Sequence, residues 1–298
     1  MRPESLESII ETRTHRPAAI AEAAARRRRP AAALDGAGTT MIVAADHPAR
    51  GSLGAGERPL AMADRADLLD RLCLALSRPG VDGVLGTPDI VEDLLLLGAL
   101  EGKVVFGSMN RGGLTGAAWE LDDRFTAYDA ATIAAMGYEG GKMLTRIALD
   151  DPATAGTVEA CARAVSDLAR HGLVAMVEPF MAQRTDGRLR NLLTTEAAIR
   201  ASAIAAGLGT TSAYTWLKVP VVPDMERVVA ATTLPTVLLG GEVNQDQDAT
   251  FAAWERALAL PNVVGLVVGR SLLYPPGDDV TTAVDTAVSL LPRTVRAP

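Results

Sequence analysis

Short apolar runs alternate with longer amphipathic ones from Met41 to the end of the chain. The short runs are Met41–Asp46, Gly83–Gly86, Val104–Ser108, Gly141–Ile147, Val174–Glu178, Tyr214–Val219, Thr236–Leu239 and Val263–Val268. They are rich in Val, Ile and Leu and bounded by turn residues, which predicts buried strands. The amphipathic runs predict helices over Asp64–Ser77, Pro88–Leu100, Ala127–Met136, Thr154–Arg170, Thr195–Ala206, Met225–Ala231, Ala249–Leu258 and Val280–Leu290. Capping residues open several of them, as at Asp150-Asp151-Pro152 and Thr194-Thr195-Glu196.

Strands that alternate with helices predict a parallel sheet, and eight such units in one chain of 298 residues predict a closed (β/α)8 TIM barrel. A doubly wound sheet is the alternative. It would carry a glycine-rich phosphate loop after its first strand, whereas here that strand runs into Asp46-His47-Pro48-Ala49-Arg50-Gly51. The leading segment Ser5–Arg29 reads as a helix pair broken at Pro17 that covers the barrel bottom or a flank. The organisation expected is an N-terminal helical extension over residues 1–30 and a barrel over 31–298. The longest irregular stretch, Asn110–Phe125, follows strand three, where loops line the active face.

Composition narrows the function. Hydrophobic residues make up 48% and charged residues 22%, enough apolar material for a sizeable core. A net charge of −7 excludes a nucleic-acid partner. The first residues lack the apolar core of a signal peptide, and the apolar stretch near Leu94–Leu97 is too short to span a bilayer, so a soluble, cytoplasmic protein without a membrane partner is expected. Cys73 and Cys161 lie in apolar helical patterns and read as buried free thiols. The run Arg26–Arg29 reads as a solvated helix C-terminus.

The chemistry starts from the basic residues. Only three of 29 are lysines, Lys103, Lys142 and Lys218. A lysine can lose its proton in an apolar setting and attack a carbonyl, which arginine cannot do. Lys218 has that setting, in Tyr214-Thr215-Trp216-Leu217-Lys218-Val219-Pro220. In a barrel, reactive side chains sit at the C-terminal strand ends and point inward. Asp46 ends strand one, Lys142 lies in strand four, Glu178 ends strand five and Lys218 lies in strand six. Burial and a neighbouring cation would lower the Lys218 pKa and make it a neutral nucleophile. The other reading of these four residues is an interior salt-bridge network, Asp46 with Lys142 and Glu178 with Lys218.

Strand seven ends in Gly240-Gly241 and strand eight in Gly269-Arg270-Ser271, the two positions where barrels bind phosphate through backbone N–H groups. His47, beside Asp46, reads as a substrate contact, and His171 before Gly172 as a helix C-cap partner. No two of His15, His47 and His171 fall at metal-ligand spacing, so neither a metal nor another cofactor is expected. No Gly-x-Ser-x-Gly elbow occurs.

These residues carry a resemblance. Leu217-Lys218-Val219-Pro220 resembles the Schiff-base lysine segment of class I aldolases of the deoxyribose-phosphate and tagatose-1,6-bisphosphate aldolase type. Ala44-Ala45-Asp46-His47, Gly141-Lys142-Met143-Leu144, Val177-Glu178-Pro179 and Val268-Gly269-Arg270-Ser271 resemble the strand-one, -four, -five and -eight segments of tagatose-bisphosphate and sulfofructosephosphate aldolases. The chain is also similar to actinobacterial barrel proteins linked with inositol breakdown. The segment His47-Pro48-Ala49-Arg50-Gly51-Ser52 and the stretch Asn110-Arg111-Gly112-Gly113 depart from the tagatose-bisphosphate pattern, where the aldehyde half should bind.

The resemblance implies metal-independent cleavage of a sugar phosphate to dihydroxyacetone phosphate and an aldehyde. Lys218 would be the nucleophile, Glu178 would move protons, Lys142 would bind substrate oxygens, and Asp46 would orient Lys142. Gly240, Gly241, Gly269 and Arg270 would hold the phosphate, and Arg50, Arg111 or Arg184 an anionic group at the other end. For the branch linked with inositol breakdown, the substrate implied is 6-phospho-5-dehydro-2-deoxy-D-gluconate. Transaldol transfer, tagatose-bisphosphate or sulfofructosephosphate cleavage, and a catalytically idle sugar-phosphate sensor are the alternatives. A homo-oligomer is the assembly implied.

Overall fold

The computed structural model describes residues 3–30 and 38–292. Its strands are β1 (Thr40–Ala44), β2 (Gly83–Gly86), β3 (Val104–Ser108), β4 (Gly140–Ile147), β5 (Val174–Thr185), β6 (Arg188–Asn191), β7 (Thr215–Pro220), β8 (Thr236–Leu239) and β9 (Val263–Val268). All but β6 are parallel and bond in the cyclic order β1, β2, β3, β4, β5, β7, β8, β9, with β9 returning to β1. The molecule is a (β/α)8 TIM barrel, and its sixth barrel strand is β7. The helices are α1 (Pro3–His15), α2 (Ala19–Arg26), α3 (Arg65–Ser77), α4 (Pro88–Leu96), α5 (Ala130–Ala135), α6 (Ala153–Arg170), α7 (Thr195–Ala206), α8 (Met225–Ala230), α9 (Gln247–Leu258), α10 (Arg270–Leu273) and α11 (Val280–Ser289).

Strand periodicity decides what faces inward. Ile42, Ala44, Val104, Phe106, Val174 and Met176 cluster inside the ring with Trp216 packed against them. The Phe106 and Trp216 rings meet with centroids 6.4 Å apart. Gly140 is small for a reason: a Cβ there would stand 2.6 Å from the Phe106 ring. Two residues further along each strand, the same parity leads to Asp46, Ser108, Lys142, Glu178 and Lys218. The apolar interior thus fills the lower barrel and leaves a polar layer at its C-terminal mouth. Residues of the opposite parity, such as Val43, Val84, Val105 and Val177, belong to the larger core beneath the helices.

Strand five outruns its predicted end at Glu178. It continues through buried Phe180, Met181 and Ala182 and turns at Asp186-Gly187, both at positive φ, to pair antiparallel with β6. Pro179 lies inside β5, in register with Thr145 of β4.

On the flank of the barrel, Arg13 of α1 bonds Glu92 and Asp93 of α4 at 3.0 and 2.8 Å. The run Arg26–Arg29 is not uniformly solvated as its pattern predicted. The Arg27 side chain is buried and donates to Lys103 O and Gly137 O, just ahead of β3 and β4. Those carbonyls precede the first ladder bonds of the strands, and a long arginine can reach them with its whole fork. Cys161 is buried and Cys73 half-buried, both free.

Candidate active site

Four ionisable side chains meet at the C-terminal mouth. Lys142 Nζ lies 3.1 Å from Asp46 Oδ2 and also bonds Glu178 Oε2. Glu178 Oε1 in turn lies 2.8 Å from Lys218 Nζ. Asp46, Lys142, Glu178 and Lys218 therefore form one continuous chain of opposite charges. Both pairs of the salt-bridge reading are present, joined through Lys142 and Glu178 into a single unit. Glu178 is the most accessible of the four, with 11% of its side chain exposed against 4% for Lys218. Solvent thus reaches the Lys218 end of the chain.

Asp46 also touches two residues beyond that set. Ser108 Oγ donates to Asp46 Oδ2 at 2.9 Å, and Arg111 NH1 stands 3.2 Å from the same oxygen. Arg111 is held in place by its neighbour: Asn110 Nδ2 donates to Leu144 O at 2.6 Å and Asn110 Oδ1 accepts from Leu144 N at 2.7 Å. This two-way clamp fastens the connection after β3 to β4 at a point just past Lys142. One guanidinium nitrogen, Arg111 NH2, is buried with no partner.

Burial and charge work against each other here. Burial would raise the Asp46 carboxyl, yet Arg111 and Lys142 hold it well below the usual carboxylate range. Burial likewise opposes ionisation of Glu178, but Lys142 and Lys218 pull it down to about 2. Burial lowers Lys142 by more than Asp46 and Glu178 restore. His47 is lowered to about 3, by burial first, against the opposing pull of Asp46 and with Arg270 and the two lysines adding to the lowering, so its imidazole is neutral at ordinary pH.

The rim has two sides. On one, His47 faces the end of β9: a Cβ on Gly269 would lie 3.1 Å from His47 Cε1 and would overlap Ala44 O. Gly240 is equally confined, since a Cβ there would fall 2.8 Å from Ser271 Oγ. Ser271 Oγ, Arg270 Nε and His47 Nδ1 are all buried without a hydrogen-bond partner. Gly241 has φ +68° and open space around it. Arg270 NH2 bonds Glu242 Oε1 at 3.0 Å, and NH1 bonds Gly54 O at 3.3 Å.

On the other side, Arg50 Nε donates to Gly113 O at 2.9 Å. Burial, then Arg146 and Arg111, lower Arg50 to about 10. Arg146 grips Asp123 through two bonds of 2.8 Å and so fixes the far end of the same loop. Arg184 stands apart on the hairpin, bonded to Asp151 Oδ2 and Ala118 O at 3.3 Å each. The structure thus gathers Asp46, His47, Arg50, Arg111, Lys142, Glu178, Lys218, Gly240, Gly241, Gly269 and Arg270 around the mouth, and holds Arg184 outside it. Sequence reasoning missed Ser108, Asn110 and Glu242. Ser108 could have been found, since it closes the apolar run Val104–Ser108 as Asp46 and Glu178 close theirs.

Two surface clefts of about 350 and 460 Å³ open elsewhere, one beside α8 and α9 and one against α6, and none of the four ionised residues lines either. Among the described residues no group of three or more His, Cys, Asp and Glu side chains could hold a metal ion, and no helix is long and apolar enough to cross a membrane.

A family model described as Cgl0159-like matches residues 38–288. The crystal structure of Cgl0159 from Corynebacterium glutamicum (Brevibacterium flavum) superposes with a TM-score of 0.94 at 53% identity, covering 97% of each chain. An archaeal fructose-1,6-bisphosphate aldolase, solved with its catalytic lysine covalently bound to a carbinolamine intermediate, has a TM-score of 0.63 at 18% identity over 91% of this chain and 98% of its own. A fructose-bisphosphate aldolase from Slackia heliotrinireducens has a TM-score of 0.60 at 14% identity over 88% of this chain and 87% of its own. These two share the fold. Comparison with curated proteins gives no match.

Proposed function

The chain belongs to the Cgl0159-like family, and we propose that it is a class I aldolase that cleaves a ketose phosphate through a Schiff base on Lys218. The observation that carries this reading is the Glu178 carboxylate, shared between Lys218 and Lys142 at the mouth of the barrel. A nucleophilic amine needs a base within hydrogen-bond reach to take its proton, and Glu178 is 2.8 Å away. An archaeal barrel of the same fold binds its intermediate covalently through lysine.

Lys218 Nζ attacks the ketone carbon as Glu178 accepts the departing amine proton. The carbinolamine oxygen, protonated by Glu178, leaves as water and an iminium remains. The bond between the α and β carbons then breaks, its electron pair passing into the iminium to give an enamine. The β-hydroxyl passes its proton to Glu178, ionised again after the dehydration, and becomes the aldehyde; Glu178 then returns that proton to the enamine carbon. Protonation of the enamine carbon and addition of water release dihydroxyacetone phosphate and free Lys218. Lys142, held by Asp46, donates hydrogen bonds to substrate oxygens that gain negative charge.

The phosphate end is assigned to Gly240, Gly241, Gly269 and Arg270. Support comes from the buried, unpartnered Ser271 Oγ and Arg270 Nε beside glycines that leave no room for a Cβ. The other end is assigned to Arg111 with Arg50 behind it. A buried guanidinium nitrogen without an acceptor calls for one from the substrate, which favours a carboxylate on the aldehyde half. A six-carbon 2-deoxy-5-keto acid phosphate such as 6-phospho-5-dehydro-2-deoxy-D-gluconate has both ends.

The test is an intact-mass trap. Dihydroxyacetone phosphate with borohydride should add mass at Lys218 in the full chain and none in Lys218→Ala. Mass on another residue, or none in the parent, rejects the proposal.

A further inference from the structure

The subsite assigned to phosphate already holds an anion of its own chain. Glu242 Oε1 takes one edge of the Arg270 guanidinium at 3.0 Å, while Gly54 O takes NH1. The two partners are unequal. The Arg270 side chain is 12% exposed and the Glu242 side chain 81%. Glu242 follows Gly241, which takes φ +68° with nothing within 4 Å of where a Cβ would stand, so no packed side chain at that position hems in the Glu242 connection. Arg270 is anchored at the start of α10 and fixed to the connection after β1 through Gly54.

We infer that Glu242 is a displaceable internal anion that sets which ligands the Arg270 subsite admits. It rests on the reading that Arg270 receives the phosphate end. A dianionic phosphate outcompetes a carboxylate for the fork, because it brings more charge and more acceptor oxygens to the same donors. A neutral hydroxyl terminus cannot, so an unphosphorylated sugar meets an occupied arginine. The pair is open to solvent on its Glu242 side, and a bond to so exposed a carboxylate is weak enough to be opened by phosphate. Its cost to phosphate affinity is about two- to fivefold, the range measured for exposed ion pairs.

The test is calorimetric titration of inorganic phosphate into the full chain, with Glu242→Gln and Arg270→Ala alongside. Glu242→Gln should bind phosphate about two- to fivefold more tightly in low salt, with the gap closing in high salt as exposed charges are screened. Glu242→Ala should move the same way. In turnover, the gain should appear as a lower KM for a ketose phosphate, with a smaller fall or none for the unphosphorylated ketose, which never displaced Glu242. Unchanged or weaker phosphate binding in both Glu242 variants overturns the inference while leaving the phosphate assignment standing. Equal binding by the parent and Arg270→Ala, or no binding by the parent, rejects the phosphate assignment itself.

Discussion

Glu178 Oε1 and Lys218 Nζ stand 2.8 Å apart, and the other oxygen of the same carboxylate bonds Lys142. One carboxylate thus serves two amines with different surroundings. Lys142 is closed in by Asp46 and Arg111. Lys218 forms its ion pair with Glu178 alone among the described residues. A proton passing from Lys218 to Glu178 therefore weakens the bond of that carboxylate to Lys142, while Asp46 still holds Lys142 at 3.1 Å. Glu178→Gln keeps the size and one hydrogen bond but removes the proton acceptor. Turnover of a ketose phosphate should fall by about 10²–10⁴, the usual contribution of a positioned acid–base group. Accumulation of the borohydride-trapped adduct should slow with it. An unchanged rate would remove Glu178 from the chemistry.

Arg111 should matter to one end of the substrate alone. Its NH2 is buried and unpartnered, while NH1 is engaged by Asp46. Arg111→Gln keeps polar atoms near Asp46 but takes away the free guanidinium nitrogen. For substrates whose aldehyde half carries a carboxylate, kcat/KM should drop by about 10- to 100-fold, matching one hydrogen bond to a charged group. For substrates ending in a neutral hydroxymethyl group it should change much less. Equal losses on both substrates would show that Arg111 acts through Asp46 and not on a carboxylate.

The barrel itself was readable because strands buried on both faces leave continuous apolar runs. Gly83–Gly86, Val104–Ser108, Thr236–Leu239 and Val263–Val268 have the bounds their sequence predicts. The polar mouth was readable for the same reason, since Asp46, Lys142, Glu178 and Lys218 interrupt those runs. The β6 strand was not, because Arg188-Leu189-Arg190-Asn191 is an edge with three exposed polar residues and one apolar side chain, Leu189, which packs on a small cluster apart from the main core. Its one visible signal was Asp186-Gly187, a tight-turn pair. Glu242 lies in an exposed connection, where no pattern marks a residue until its partner Arg270 is seen. The burial of Arg27 depends on carbonyls 76 and 110 residues away, beyond any local rule.

Two glycines at the mouth should respond to alanine for different reasons. At Gly269 a Cβ would overlap Ala44 O, a backbone atom that cannot step aside. Gly269→Ala should therefore push β9 away from β1 and cost several kcal/mol, as overpacking does at about 1–3 kcal/mol or more. At Gly241 nothing lies within 4 Å of a Cβ, and the cost is only that of φ +68°, about 1–2 kcal/mol. Urea denaturation of the two variants should rank Gly269→Ala as the less stable. The reverse order would mean that the β9 end is softer than its packing indicates.

Acid should unfold the protein in two overlapping stages, and the sign follows from which state binds more protons. His47 is lowered to about 3 from an ordinary value of 6.5, chiefly by burial. Between those values the unfolded chain takes up a proton that the folded one refuses, so stability falls as pH drops from about 6.5 toward 3. Glu178 is lowered from 4.5 to about 2, the two lysines overcoming the effect of burial. Its contribution is complete above pH 4.5 and is lost as pH falls toward 2. The denaturation midpoint should accordingly decline from near neutrality down, and more steeply once Glu178 joins. His47→Asn removes only the upper stage, so its midpoint should hold steady from pH 6.5 to 4.5 and then fall with the parent. If the variant declines over the upper range as the parent does, His47 is not the group responsible.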